Sequence, residues 1–174
     1  MQPSETLRAV ILAVTIALGA LAALPAAADL ASARAALMRG DYATALPEIR
    51  ALAEAGAPEA QTLLGDLHVR GDGVEQDYAQ AANWYERAAY QGYADAQYLL
   101  AELYLSGKGV PQDNAAAYMW LWLAFETGSE RFWQEERDRV MNKISIEQQL
   151  AAEATAREIM AHYPADAKTQ AGAR

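Results

Sequence analysis

The chain has 174 residues, a formal net charge of −9 at pH 7 and no cysteine. This acidic balance gives no long-range attraction to nucleic acid phosphates or anionic membrane surfaces, so we expect no nucleic acid partner. Without cysteine the fold must be stable without disulfides. Histidine occurs only at His68 and His162, with no zinc-ligand spacing and no nucleophile motif, so we predict no cofactor, no metal site and no enzyme.

Residues 1–28 have the pattern of a secretory signal peptide. The run from Ala9 to Leu24 is uncharged and apolar, and Pro25 and three alanines follow it. Such a short hydrophobic region before small residues predicts cleavage after Ala28. The sequence therefore predicts a periplasmic or secreted bacterial protein with no membrane insertion once the signal is removed. The alternative is an uncleaved anchor, although the run is shorter than the roughly 20 residues that comfortably span a bilayer.

Residues 29–56 are predicted to form a degenerate first helix pair. Gly40 and Asp41 supply the stop and the next start, and Gly56 ends the second helix. Apolar residues recur at helical spacing on either side of that stop. These residues are Leu30, Ala33, Leu37 and Met38 in the first helix, and Ala45, Leu46, Ile49 and Leu52 in the second.

A sequence repeat of 36 residues then occurs twice, in 57–92 and in 93–128. Self-similarity at such a period is typical of a solenoid. Each unit is predicted as helix, glycine turn and helix, with Asp77 and Asp113 capping the second helices. The glycine turns have no preceding strand and no third glycine, so we interpret them as positive-φ turns and not as phosphate loops. The matching positions are Ala60-Gln61 with Ala96-Gln97, Gly71-Asp72-Gly73-Val74 with Gly107-Lys108-Gly109-Val110, Gln76-Asp77 with Gln112-Asp113, Trp84 with Trp120, and Gly92 with Gly128.

These repeated residues resemble the Sel-like repeat (SLR) family, a relative of the tetratricopeptide repeat. The resemblance is strong over 57–92 and 93–128 and weak over 40–56. It implies an all-α, right-handed α/α solenoid that binds another protein, acts as a scaffold, or assembles or regulates an envelope complex. Some cysteine-rich secreted members are linked to binding or hydrolysis of β-lactams. That alternative is disfavoured here, because those members depend on disulfides and this chain has none.

Residues 129–163 are predicted to form two helices that close the solenoid. Ser129 caps a helix from Glu130 to about Lys143, and Ser145 with Gln148 opens a second one. The second closing helix runs to about Tyr163, and 164–174 is predicted as a disordered tail. Its predicted apolar face consists of Ile146, Leu150, Ala154, Ile159 and Met160.

The first predicted binding surface is a concave groove lined by the first helix of each repeat. Acidic residues of the two repeats take equivalent positions and are expected to stack along this groove. Such a groove favours a basic or polar peptide segment as the partner. The alternative is a solvated, charged helix face without a ligand. The groove residues are Glu59, Thr62, Asp66, Val69 and Arg70 from the first repeat, and Asp95, Tyr98, Glu102, Leu105 and Ser106 from the second.

The second predicted binding surface is a seam between the last repeat and the closing helices, formed by Trp122, Phe132 and Trp133. Trp122 takes the position of Glu86, which is a solvent-type position, so it is either covered by the closing helices or exposed as an anchor for a partner. We expect His68 to be packed or to line the groove, because Tyr104 takes its place in the second repeat. A monomer is expected, and self-association through an open end of the solenoid is the alternative.

Overall fold

The computed structural model describes residues 29–128 and 131–164, apart from the side chains of Arg131 and Phe132. The predicted signal peptide, the cap at Ser129 and the tail from 165 to 174 lie outside this range. No helix within it is long and apolar enough to cross a membrane. It contains α-helices and no strand: α1 (Leu30–Met38), α2 (Tyr42–Glu54), α3 (Pro58–Arg70), α4 (Tyr78–Ala89), α5 (Ala94–Ser106), α6 (Asn114–Gly128), α7 (Arg131–Met141) and α8 (Ile146–Ala161).

The helices pack as successive pairs. In each of the first three pairs, α1 with α2, α3 with α4 and α5 with α6, the two helices pack together, and the second helix also packs against the first helix of the next pair. Such a stack, in which each unit contacts only its neighbours, is the architecture of an α-solenoid. The predicted all-α solenoid is confirmed, and the predicted helix boundaries agree with the structure to within about two residues.

Small residues on the facing sides of the helices let them approach closely. Ala45, Ala60, Ala81, Ala96 and Ala117 are all fully buried. Larger side chains such as Ile49, Leu64, Leu100 and Leu121 fill the spaces between them. Two contiguous cores result, one within α1 to α3 and a larger one from α4 to the C-terminal helices.

The glycine turn of each repeat packs against the preceding helix pair. Gly73 and Gly109 have positive φ values of 71° and 72°, which L side chains rarely adopt. A Cβ atom at Gly73 would meet the Tyr42 side chain, and one at Gly109 would meet the backbone of Tyr78. Tyr42 and Tyr78 are the first residues of α2 and α4, so each turn lies against the start of the preceding pair's second helix.

The predicted aspartate caps are confirmed. The Asp77 carboxylate accepts from the amides of Ala79 and Gln80 at 2.9 and 3.0 Å. The equivalent Asp113 accepts from the amides of Ala115 and Ala116 at 2.8 and 3.1 Å. Each carboxylate satisfies amides that have no partner inside their own helix. These acids therefore have a structural role.

The three glycines that were predicted to end helices are not equivalent. Gly56 and Gly92 have positive φ and end their helices, whereas Gly128 is the last residue of α6 and has no positive φ. A Cβ atom at Gly128 would overlap the indole ring of Trp133. The glycine here makes room for a side chain of α7.

The closing helices are arranged around α6. Both α7 and α8 pack against α6, which also packs on α5, so three helices surround it. This explains why α6 is apolar on all sides, with Met119, Trp122 and Leu123 among its residues. Ser145 and Gln148 form the predicted capping box at the start of α8.

Two predicted apolar faces are partly wrong. On α8, Ile146 and Leu150 are 75% and 63% exposed and Ala154 is exposed, whereas Ala152 and Ala156 are buried. Ile159 and Met160 are half-buried against the core as predicted, so the error is confined to the earlier part of α8, where the small Ala152 takes the buried position. On α1 the buried residues are Ala33 and Ala36, and Met38 is 90% exposed.

A buried glutamine joins each repeat to the helix before it. The side-chain amide of Gln61 donates to the Ala53 carbonyl, and that of Gln97 donates to the Ala89 carbonyl, both at 3.0 Å. The Gln97 amide also donates to the Tyr163 hydroxyl at 2.7 Å. Because these polar groups are buried, their hydrogen bonds are required and not optional. The last bond attaches Tyr163, which follows α8, to the second repeat.

Candidate functional site

A cavity of about 290 Å³ lies between α3 and α5. It brings together five of the predicted groove residues, Glu59, Thr62, Asp66, Asp95 and Tyr98. Trp133 of the predicted seam lies in the same wall, so residues of both predicted surfaces meet here. The remaining lining residues are Arg34, Leu63, Tyr93 and Leu99.

The acidic side chains of the cavity differ in their surroundings. Glu59 pairs with Arg34 of α1, whose guanidinium lies 2.7 Å from its carboxylate. Asp66 accepts a hydrogen bond from the Tyr85 hydroxyl at 2.6 Å. Burial, and then this hydrogen bond, raise the pKa of Tyr85, so the tyrosine remains the donor. Asp95 is exposed at the mouth of the cavity.

Aromatic rings form another part of the wall. The rings of Tyr98 and Trp133 are stacked, with centroids 6.3 Å apart and an angle of 25° between their planes. Burial raises the pKa of Tyr93 and of Tyr98, and the nearby carboxylates of Asp95 and Glu102 respectively raise them further. Both hydroxyls therefore stay neutral at physiological pH.

Five predicted groove residues do not line this cavity. Val69 and Leu105 are half-buried against the core, and their carbonyls accept from Gln76 and Gln112 respectively. Arg70 is exposed and pairs with the adjacent turn residue Asp72 at 2.8 Å.

Glu102 is the fourth of these residues. It is half-buried, and desolvation raises the pKa of its carboxyl group, as does the neighbouring carboxylate of Glu136. Ser106, also predicted to face the groove, donates back to the Glu102 carbonyl at 2.8 Å. The second repeat thus contributes only its N-terminal half to the cavity.

The predicted seam is divided between two sides of α6. Trp122 lies half-buried on the side of α8, where the Arg157 guanidinium is 5.5 Å from its ring centroid. Trp133 lies on the side of the cavity, beside Gly128 and Tyr98. The Phe132 side chain lies outside the described residues. Trp122 and Trp133 therefore do not share one pocket.

The two histidines have local contacts. His68 is half-buried, and its Nδ1 atom is 3.4 Å from the Glu75 carbonyl in the glycine turn. His162 follows α8, and its Nδ1 atom is 2.8 Å from the Glu158 carbonyl. In the part of the chain that the structure describes, no group of three metal-ligating side chains comes together.

The sequence reasoning missed two polar contributors to the cavity. Arg34 belongs to the degenerate first pair, which has no repeat register from which its direction could be read. Tyr93 directly precedes α5, at the position that Ala57 takes before α3. That departure from the repeat was visible in the sequence and marks a residue with a local role.

The stacked helix pairs, the glycine turns and the glutamine contacts define an α-solenoid of short helical repeats. The model of the Sel1 repeat matches residues 58–93 and 94–128, which are the two repeats of the structure. A solved Sel1 repeat protein from Oxalobacter formigenes is 33% identical, with a TM-score of 0.58 over 63% of this chain and 85% of that chain. The chain belongs to the Sel1 repeat family.

A second solved structure covers more of the chain. It is c5321, a protective antigen present in uropathogenic Escherichia coli strains that displays an SLR fold. The identity is 29% and the TM-score 0.72, over 79% of this chain and only 30% of that one. No protein with a curated description matches the sequence. Sel1 repeats generally mediate protein–protein interaction and are typically scaffolds without enzymatic activity.

Proposed function

We propose that the chain is an exported, non-enzymatic adaptor that binds a polar or basic segment of an envelope protein. The binding site is the cavity between α3 and α5, and the bound complex assembles or regulates an envelope machine. The observation that carries this proposal is the meeting of residues from both repeats with Trp133 of α7 around one cavity. Export rests on the signal-like segment 1–28.

The size of the cavity favours a short contact. Ligand pockets for small molecules are typically about 300 to 1,000 Å³, so a cavity of about 290 Å³ holds one or two side chains. A partner segment therefore places an anchor residue here and makes its other contacts along α3 and α5.

Site-specific photocrosslinking tests this proposal in native envelopes. A photoreactive phenylalanine at Tyr98 lies in the cavity wall, and the same residue at Asn83, exposed on α4, is the matched control. We expect one envelope protein to crosslink from position 98 and not from position 83, and to bind the purified chain in return. Equal crosslinking from both positions, or none from position 98, contradicts the proposal.

Export is tested on the mature protein. We expect intact-mass analysis to show loss of residues 1–28, with Asp29 as the first residue, in the periplasmic or extracellular fraction. A full-length cytoplasmic protein contradicts export and leaves the adaptor function to be tested separately.

The non-enzymatic assignment is tested with a chromogenic β-lactam. Hydrolysis is expected to be absent, and turnover that a cavity mutation abolishes would contradict the assignment.

A second candidate function is self-association as a structural module. The large apolar side chains that are most exposed in the described residues, Met38, Ile146 and Leu150, lie on the first and last helices of the solenoid. Outer faces of this kind on terminal units favour contact with another copy. Light scattering at increasing concentration separates the candidates, because a constant monomer mass supports the adaptor and rising mass supports the module.

A further inference from the structure

The charges that line the cavity are unbalanced. Three carboxylates, Glu59, Asp66 and Asp95, and one guanidinium, Arg34, contribute to its wall. Arg34 lies 2.7 Å from Glu59, so these two charges compensate each other. The carboxylates of Asp66 and Asp95 have no second basic side chain beside them in the lining. A cation that enters the cavity therefore meets a net negative wall.

Asp66 is held in place for such a contact. The Tyr85 hydroxyl donates to its Oδ1 atom at 2.6 Å, and Tyr85 itself is fully buried. The Oδ2 atom accepts no hydrogen bond from the described residues. A fixed carboxylate with one unused oxygen binds a cationic donor with little loss of side-chain freedom.

The aromatic part of the wall suits the same ligand. A cation within about 6 Å of an aromatic ring centroid is attracted to the face of the ring, and arginine makes this contact more often than lysine. Tyr98 and Trp133 stack at 6.3 Å and provide such a surface, and Tyr93 lies beside the acidic mouth. The fold uses this contact elsewhere, because the Arg87 guanidinium lies 4.5 Å from the Trp84 ring centroid.

We propose that the cavity binds a single arginine or lysine side chain of the partner segment, with Asp66 and Asp95 as counter-ions and Tyr98 and Trp133 as the aromatic wall. The cavity volume matches one long side chain better than an extended ligand. The inference rests on the proposed function, because it names the residue by which a partner segment is recognised at the same site.

In the experiment the purified chain is titrated with blocked tripeptides. Binding is monitored by the change in the NMR chemical shift of the Trp133 indole N–H. The probes are acetyl-Gly-Arg-Gly-amide, its lysine counterpart and its citrulline counterpart, which keeps the shape of arginine without the charge. We expect the two cationic peptides to bind with Kd near 1 mM, on the order expected for one side chain. Citrulline is expected to bind at least about tenfold more weakly.

Matched variants locate the counter-ions. Asp66→Asn and Asp95→Asn are each expected to weaken arginine binding by about 5- to 10-fold. Glu75→Gln removes the same charge from an exposed residue outside the cavity lining and is expected to leave binding unchanged. Because Asp95 is exposed, its variant folds even where Asp66→Asn disturbs the contact with Tyr85.

Three results overturn the inference: equal affinity for citrulline, an equal loss in Glu75→Gln, or no shift of Trp133 at about 10 mM arginine peptide. Free arginine that binds tenfold more tightly than the blocked peptide would make the occupant a small molecule.

Crosslinking separates this inference from the proposed function. If the crosslinked partner is still captured by the Asp66→Asn/Asp95→Asn double variant, the adaptor function stands and the cation pocket fails. If no partner crosslinks from position 98 of a chain without the Asp66 and Asp95 substitutions while the peptides bind, the adaptor function alone fails.

Discussion

The two Sel1 repeats share one framework and differ where their neighbours differ. In both repeats a glutamine side chain hydrogen-bonds to the preceding helix, and the glycine turn packs against the preceding helix pair. In both, an aspartate caps the start of the second helix. In the first repeat, Gly65 lies against the ring of Tyr85, and Tyr85 donates to Asp66. In the second repeat the same three positions hold Ala101, Leu121 and Glu102.

The difference between the repeats shows how a pocket arises from a repeated framework. A tyrosine needs a glycine opposite it, and its hydroxyl then fixes an acid in the cavity wall. A leucine allows an alanine opposite it and leaves Glu102 to interact with Tyr98 and Glu136 instead. The second repeat also ends in the longer α6, of 15 residues against 12 in α4, because α7 and α8 cover it.

The largest effect is expected from the equivalent turn glycines. In Gly109→Ala the new Cβ meets the backbone of Tyr78, which cannot move without distorting α4, and φ is also unfavourable. In Gly73→Ala the Cβ meets Cβ and Cγ of Tyr42 at 2.6 and 2.7 Å, which are longer contacts than those at Gly109, so a smaller displacement of α2 relieves them. We expect losses of about 4 and about 2 kcal/mol in the free energy of unfolding. Urea denaturation followed by circular dichroism measures both, and equal losses would contradict the distinction.

The next effect tests the match between glycine and tyrosine. In Gly65→Ala the new Cβ would lie 2.5 Å from the Tyr85 ring, so overpacking is expected to cost about 2 to 3 kcal/mol. Adding Tyr85→Leu copies the pair of the second repeat and is expected to recover about 1 to 2 kcal/mol of that loss. Additive losses in the double variant would show that the two positions are independent.

The repeat framework could be predicted from sequence because its signals are local or periodic. The glycines at 71, 73, 107 and 109 require positive φ, Asp77 and Asp113 precede apolar periodic segments, and the offset of 36 residues fixes which helices are equivalent. Five groove positions were found in the cavity wall for the same reason. Periodicity identifies the face of a helix on which a residue lies.

The rest of the site depends on contacts between distant parts of the chain. Arg34 enters the cavity from α1 and Trp133 enters it from α7, and neither lies in a repeat that fixes its direction. The apolar face of α8 was mispredicted at Ile146 and Leu150 because large aliphatic residues dominate a pattern, whereas close packing on α6 selected Ala152 and Ala156. Shape decided these positions more than hydrophobicity did.

A smaller effect is expected at the glutamines that join the repeats. In Tyr163→Phe the buried amide of Gln97 loses one of its two acceptors, the hydroxyl at 2.7 Å, which is expected to cost about 1 to 2 kcal/mol. In the first repeat, the Gln91 amide donates to Gln61 at 2.8 Å from a half-buried position, where water can replace it. Gln91→Ala is expected to cost about 0.5 kcal/mol. The urea midpoints of both variants check this order, and the reverse order would contradict it.

Tyr118 adds a pH-dependent contribution to the stability of the second repeat, and its equivalent in the first repeat is Ala82. Burial, with the hydrogen bond to Glu153, raises the pKa of Tyr118 to about 12 from its usual 10.0. The folded state therefore keeps a proton that the unfolded state loses above pH 10. The stability from this group is complete below pH 10 and is lost as the pH rises towards 12. Relative to wild type, Tyr118→Phe is expected to flatten the fall of the urea midpoint over that range, and an unchanged slope contradicts the assignment.

The smallest effect is expected on the outer face of the last helix. Leu150→Gln changes a side chain that is 63% exposed, so the free energy of unfolding is expected to change by less than about 0.5 kcal/mol. Ala156→Gln, on the opposite face of the same helix, places a larger polar side chain against α6 and is expected to cost about 3 kcal/mol. A loss above about 2 kcal/mol in Leu150→Gln at low protein concentration would mean that this face is packed in the folded monomer. A loss that appears only at high concentration would instead place the face in a contact between copies, because a stabilising partner acts by mass action.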